Sequence, residues 1–176
     1  MSYYSGSQLV QEIVEMFILT PFENPEIVPT ILPLVAGAVV IELYFGKHKT
    51  EELGWNTSVG NAVIWVTTGL TLYMTETLTT PETHATFSLI GLGLLIGYMD
   101  FFHKWSETMA FMISSSGVIY TLAYILVVLV KTDLALTRST FEAAAAFFVA
   151  TNLAFKLIQM FEIDQRDRRM TPMGPR

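Results

Sequence analysis

Three side chains able to hold a metal ion or relay a proton fall within eight residues, in Asp100-Phe-Phe-His103-Lys104-Trp105-Ser106-Glu107. On a helix, Asp100, His103 and Glu107 stand at i, i+3 and i+7, so all three would share one face. A histidine between carboxylates is a donor set for zinc or iron, or a proton relay. Under the topology derived below, Glu42, His48 and Glu51 lie on the same side of the membrane. Stronger metal patterns such as HExxH are absent from the sequence. Helix-end chemistry accounts for most of the tract. His103 and Lys104 suit the C-terminus of one helix, Ser106 is an N-cap, and Glu107 suits the first turn of the next. Lys104 follows Asp100 by four residues, an ordinary helical ion pair. Asp100 alone is out of place, a negative charge in a last turn. No cofactor is expected.

A second polar set lies earlier. Asn61, Thr68 and Thr75 recur every seven residues, with Thr71 between them. Such a stripe can line a water-filled path, or it can pack against a neighbouring helix. Threonine hydroxyls also bond back to their own helix. Near the end of the chain, Asn152 and Lys156 share a face, and a pocket with Glu42 is possible. Nucleophilic catalysis has no support: there is no cysteine, no GxSxG and no glycine-rich phosphate loop. Four arginines interleaved with acids in the last fifteen residues make a poor polybasic patch, so no nucleic-acid partner is expected.

The elements that must carry these residues are membrane helices. The chain is 52% apolar and 15% charged, with a mean hydropathy of +0.47, whereas soluble domains carry about 25% charged residues. The missing charge is concentrated in five near-spanning blocks. The apolar runs 86–98 and 108–130 flank the Asp100–Glu107 tract. As one helix they would reach about 70 Å, over twice a hydrocarbon core of about 30 Å. The chain must turn near His103.

The fold class that follows is an all-α integral membrane protein. Five transmembrane helices are expected at about 27–45, 56–77, 84–102, 107–130 and 139–161. Residues 1–26 form an amphipathic interfacial helix and connector. In that helix Leu9, Val10, Ile13, Val14, Phe17 and Ile18 share one face, and Thr20-Pro21 ends it. Residues 162–176 are a charged tail. Nothing at the N-terminus resembles a cleaved signal peptide. Gly93-Leu-Leu-Ile-Gly97 is a GxxxG, and Ala146, Ala150 and Ala154 form a small-residue ridge; both are expected to pack helices closely.

With five spans and the N-terminus outside, the inner segments carry Lys47, Lys49, Lys104, Lys156, Arg166, Arg168, Arg169 and Arg176, against Lys131 and Arg138 outside. The positive-inside bias therefore favours N-out, C-in, with a cytoplasmic tail. The leading expectation is a non-enzymatic structural or accessory subunit that packs in the lipid bilayer against other membrane subunits or itself. The alternative is a small oligomeric cation channel or transporter with the stripe of the second span along its path. A third is a metal- or proton-handling protein that uses the Asp100/His103/Glu107 turn.

Overall fold

The structure is a computed structural model that describes residues 6–47 and 55–161. His48 and Glu51, and the charged tail 162–176, lie outside the described residues. Among the described residues the chain is helical, without strands. Its helices are α1 (Gly6–Val14), α2 (Thr20–Glu23), α3 (Val28–Lys47), α4 (Trp55–Thr75), α5 (Thr80–Phe101), α6 (Glu107–Ile113), α7 (Ser116–Lys131) and α8 (Arg138–Phe161). Four stretches are long and apolar enough to cross a membrane: Pro25–Leu43, Thr80–Phe101, Glu107–Lys131 and Arg138–Met160. Helix α4 is equally long, but its two asparagines and its threonines dilute its apolar character, and it falls outside that set.

Helix α7 is the axis. Its consecutive residues Ile125, Leu126, Val127, Val128, Leu129 and Val130 are all buried, so its second half is enclosed on every side, as expected of a helix that is apolar all round. Helix α4 runs parallel to it: Asn61 reaches Ser114, Trp65 reaches Ile119 and Glu76 reaches Lys131. Helices α3 and α8 run antiparallel to it, with Glu42 against Ser116, Gly37 against Tyr120 and Tyr124 beside Phe147. Helix α5 packs antiparallel on α4 through glycine. A Cβ on Gly93 would stand 2.9–3.1 Å from Val66, Trp65 and the Ala62 carbonyl, and one on Gly69 only 2.4 Å from Ile90. Gly97 has ordinary room, 3.5 Å from Ala62.

Helix ends obey local chemistry. Thr79 caps α5, and Glu82 reaches back to its backbone N–H (2.7 Å) and hydroxyl (2.6 Å), a capping box with Pro81 in the first turn. The chain turns where the apolar runs demanded. His103 takes φ 49°, with the Lys104 amide on the Met99 carbonyl and the His103 amide on Asp100, which is a Schellman ending. Asp133 (φ 50°) ends α7 the same way. Ser106 caps α6.

Two expectations are corrected. First, Thr20-Pro21 does not end the N-terminal helix. A π-helical turn, Glu15–Leu19, carries it into α2. Pro21 has no N–H for the Phe17 carbonyl, and the Tyr124 hydroxyl donates there instead at 2.8 Å. Phe17 is fully buried, while Val10, Val14 and Ile18 on the expected apolar face stay exposed. Second, the run 107–130 is not one helix but breaks at Ser114–Ser115. The alanine ridge of α8 turns largely outward. Ala150 and Ala154 are exposed and Ala146 half-buried, whereas Ala143 and Ala144 are buried.

Candidate functional site

The helix break organises the polar interior. Ser114-Ser115-Ser116-Gly117 joins three residues whose hydroxyls compete for backbone partners to the weakest of the non-proline helix formers. Two carboxylates then pull its hydroxyls apart. Ser114 Oγ donates to Asp100 Oδ2 on α5 at 2.6 Å, and Ser116 Oγ donates to Glu42 Oε1 on α3 at 2.7 Å. The Ser114 carbonyl, at the end of α6, accepts from Asn61 Nδ2 at 2.7 Å. A terminal carbonyl that would otherwise lack a partner is thereby satisfied by α4.

Each acid has a second donor. Trp105 Nε1 reaches Asp100 Oδ1 at 2.7 Å, and Gln159 Nε2 on α8 reaches Glu42 Oε2. Asp100 is 0% exposed and Glu42 5%. None of these four donors is a charged group. Asp100 therefore does not pair with Lys104, which is exposed. Gly117 completes the layer: a Cβ there would lie 2.5 Å from Asn152 Oδ1 and 3.4 Å from Glu42 Oε1. All five long rods thus contribute to one polar layer, at the end of the bundle marked by the α5–α6 turn.

The Asp100/His103/Glu107 set is not gathered. Asp100 turns inward, while His103 and Glu107 are exposed. The His103 ring stacks on Trp55 with centroids 4.1 Å apart. Among the described residues no three His, Asp or Glu side chains converge closely enough to hold a metal ion. The stripe of α4 is also divided. Asn61 is buried in the layer; Thr68 and Thr71 line an open cleft of about 470 Å³ between α3, α4 and α7; Thr75 bonds back to the Thr71 carbonyl at 2.9 Å. Leu34 and Tyr120 line this cleft and also a second, apolar chamber of about 250 Å³ on the α8 side of α3. A third cleft, about 590 Å³, opens beside the break and includes Ser115, Asn152, Lys156 and Glu107.

At the opposite end, Glu76 and Lys131 form an ion pair that ties α4 to α7. The Lys131 ammonium bonded to Glu76, just past the end of α4, holds its carboxyl below the usual range, against a smaller upward effect of burial. Arg138 pairs with Glu142 on the exposed start of α8. Glu42 and Ser116 are the functional candidates whose pairing spacing did not reveal, because their partners are 74 positions apart. Only the serine cluster and a carboxylate near the far end of an apolar run gave a signal.

Comparison with protein-family models, with curated proteins and with solved structures finds no match to this chain.

Proposed function

We propose that the chain is a five-span membrane protein, N-terminus outside and C-terminus in the cytoplasm, that binds and passes a cation or a proton at the polar layer. The observation that carries this is the pair of buried carboxylates, Asp100 and Glu42, on either side of one broken helix, with only neutral donors bonded to them. Ionisable groups inside a membrane bundle are expensive, and they mark ion or proton routes unless a partner neutralises them. Each carboxylate oxygen here keeps acceptor capacity beyond its one donor. The Thr68–Thr71 cleft, which leads toward Tyr120 from the other end, supports a route on the α4 side. The parallel and antiparallel packing of the five rods supports a five-span reading in which α4 is the remaining span.

Reconstitution into liposomes tests this. Flux of a monovalent cation or of protons is expected, lowered at least about tenfold by Asp100→Asn or Glu42→Gln and reduced by Asn61→Leu and Thr68→Val. Absence of flux across cations and pH removes the proposal. A second reading, a structural or accessory subunit, is favoured by the outward Ala150 and Ala154, which offer a partner helix a close approach. A chain that purifies as a monomer without companions opposes it.

A further inference from the structure

One fully buried hydroxyl beside the polar layer is left without a hydrogen bond. Ser58, in the first turn of α4, is 0% exposed, and its Oγ has no partner among the described residues. A helical serine ordinarily returns its hydroxyl to its own backbone or gives it to a neighbour, so an orphan of this kind needs a cause. The contacts along the α4–α5 seam fix what it faces. Gly93 packs on Val66, Gly97 on Ala62, and the His103 ring stacks on Trp55. Each turn back along α4 is thus matched by a turn forward along α5. Between the pairs Ala62–Gly97 and Trp55–His103, this register brings Ser58 level with Asp100. Asn61, three residues on from Ser58 and on the same side of α4, donates to the Ser114 carbonyl, and Ser114 Oγ donates to Asp100. Four buried polar residues, Ser58, Asn61, Asp100 and Ser114, therefore meet at one corner of the layer.

That corner has a charge to balance and a hydroxyl to satisfy. Asp100 accepts only from Trp105 and Ser114, both neutral. A water molecule would satisfy Ser58 but leave the buried charge. A proton on Asp100 would remove the charge but leave Ser58 alone, since its Oγ bonds to neither carboxylate oxygen. A cation seated between the two does both. We infer that Ser58 and Asp100 bracket a binding site for a dehydrated monovalent cation of sodium size, with the Asn61 amide oxygen and the Ser114 hydroxyl oxygen beside it. Hard cations take oxygen ligands, and every ligand here is an oxygen. One carboxylate among neutral oxygens matches a single positive charge; the other buried acid, Glu42, lies across the broken helix on Ser116. The seam sets the size. One turn away a Cβ on Gly97 would already touch Ala62 at 3.5 Å, so the ion enters without its water shell. The inference rests on the reading of Asp100 as a cation-handling acid; it names the ion and adds Ser58 as a ligand.

The test is binding of radioactive sodium to the full chain in nanodiscs, read by scintillation proximity, with choline holding the ionic strength. Saturable binding is expected, displaced by unlabelled sodium and not by choline. Ser58→Ala and Asp100→Asn should each weaken it at least about tenfold, as the loss of a ligand or of its support does. Ser58→Ala is the deciding variant, because the hydroxyl holds nothing else in the structure. In choline it should unfold no more easily than the parent, while the stabilisation that sodium gives the parent should disappear. If Asp100→Asn does not fold, Ser58→Ala alone carries the test. Absence of saturable binding, or sodium binding unchanged by Ser58→Ala, overturns the site. So does a Ser58→Ala variant destabilised equally in sodium and in choline, which is the mark of a bridging water. Proton flux without sodium binding overturns this site and leaves the transport reading standing. Sodium binding without flux supports the site and removes the transport reading.

Discussion

Substitution at Asp100 separates a clamp that merely holds the hairpin from an acid spared for ion binding. Its carboxylate is fully buried and accepts from Trp105 and Ser114. A hydrogen bond to a charged group contributes about 1.5–3 kcal/mol, so Ser114→Ala should destabilise the bundle by about that amount. Asp100→Asn preserves shape and one acceptor oxygen, but turns an amide N–H toward one of the two donors, and should cost a similar amount. Asp100→Ala leaves the indole N–H and the hydroxyl both without a partner, and should cost about 3–6 kcal/mol if the two bonds add. The cycle of Asp100→Asn, Ser114→Ala and the double variant should show coupling of about 1–3 kcal/mol. Reversible unfolding in mixed micelles with rising dodecyl sulfate, followed by tryptophan fluorescence, reads these differences. Single variants all within about 0.5 kcal/mol of the parent, with no coupling, would refute the clamp. A flux defect in Asp100→Asn larger than any stability loss would show that the acid does more than hold the turn.

Three further outcomes follow from the packing. Gly93→Ala should destabilise the α4–α5 contact by about 1–3 kcal/mol through overpacking, whereas Gly97→Ala, with its Cβ at an ordinary 3.5 Å from Ala62, should be neutral or mildly stabilising; equal effects in unfolding would contradict the close approach. Tyr124→Phe leaves the Phe17 carbonyl without its donor and should cost about 1–3 kcal/mol, less on a Pro21→Ala background that restores a helical N–H; hydrogen exchange in residues 6–23 should rise accordingly. Glu76→Gln should lower stability at neutral pH. Since pairing with Lys131 depresses the folded-state pKa of Glu76, the difference between parent and variant should be present above the ordinary glutamate range and vanish as pH falls through the lower folded value. A gap that widened in acid would reverse the sign of that linkage.

The sequence made the rods and turns legible because they answer to local rules: hydropathy for the long helices, Ser106 for the α6 cap, the length of the apolar runs for the turn at His103. It misled where a distant partner decides. Pro21 reads as a stop, yet a π-turn and the Tyr124 hydroxyl, 107 positions away from Phe17, carry the helix through. Residues 107–130 read as one helix, and the break follows from Asp100 and Glu42 competing for neighbouring serines. The alanine spacing on α8 marks a small-residue face without saying which way it points. The helical period could align Asp100, His103 and Glu107, but the left-handed backbone at His103 ends the helix before that face is complete.

The interruption at Ser114–Ser115 also bears on how the chain is made. As it leaves the ribosome, Glu107–Lys131 is 25 residues of high hydropathy, and the insertion machinery would accept it as an unbroken segment. Its kink depends on Asn61, Asp100 and Glu42, which enter on three separate segments. On the proposed membrane reading, the bend is therefore an assembly product, set in the second stage when inserted helices associate. A chain whose helices α3–α5 had failed to dock would keep this segment straight, exposing a run of serines to lipid where quality-control proteases can find it.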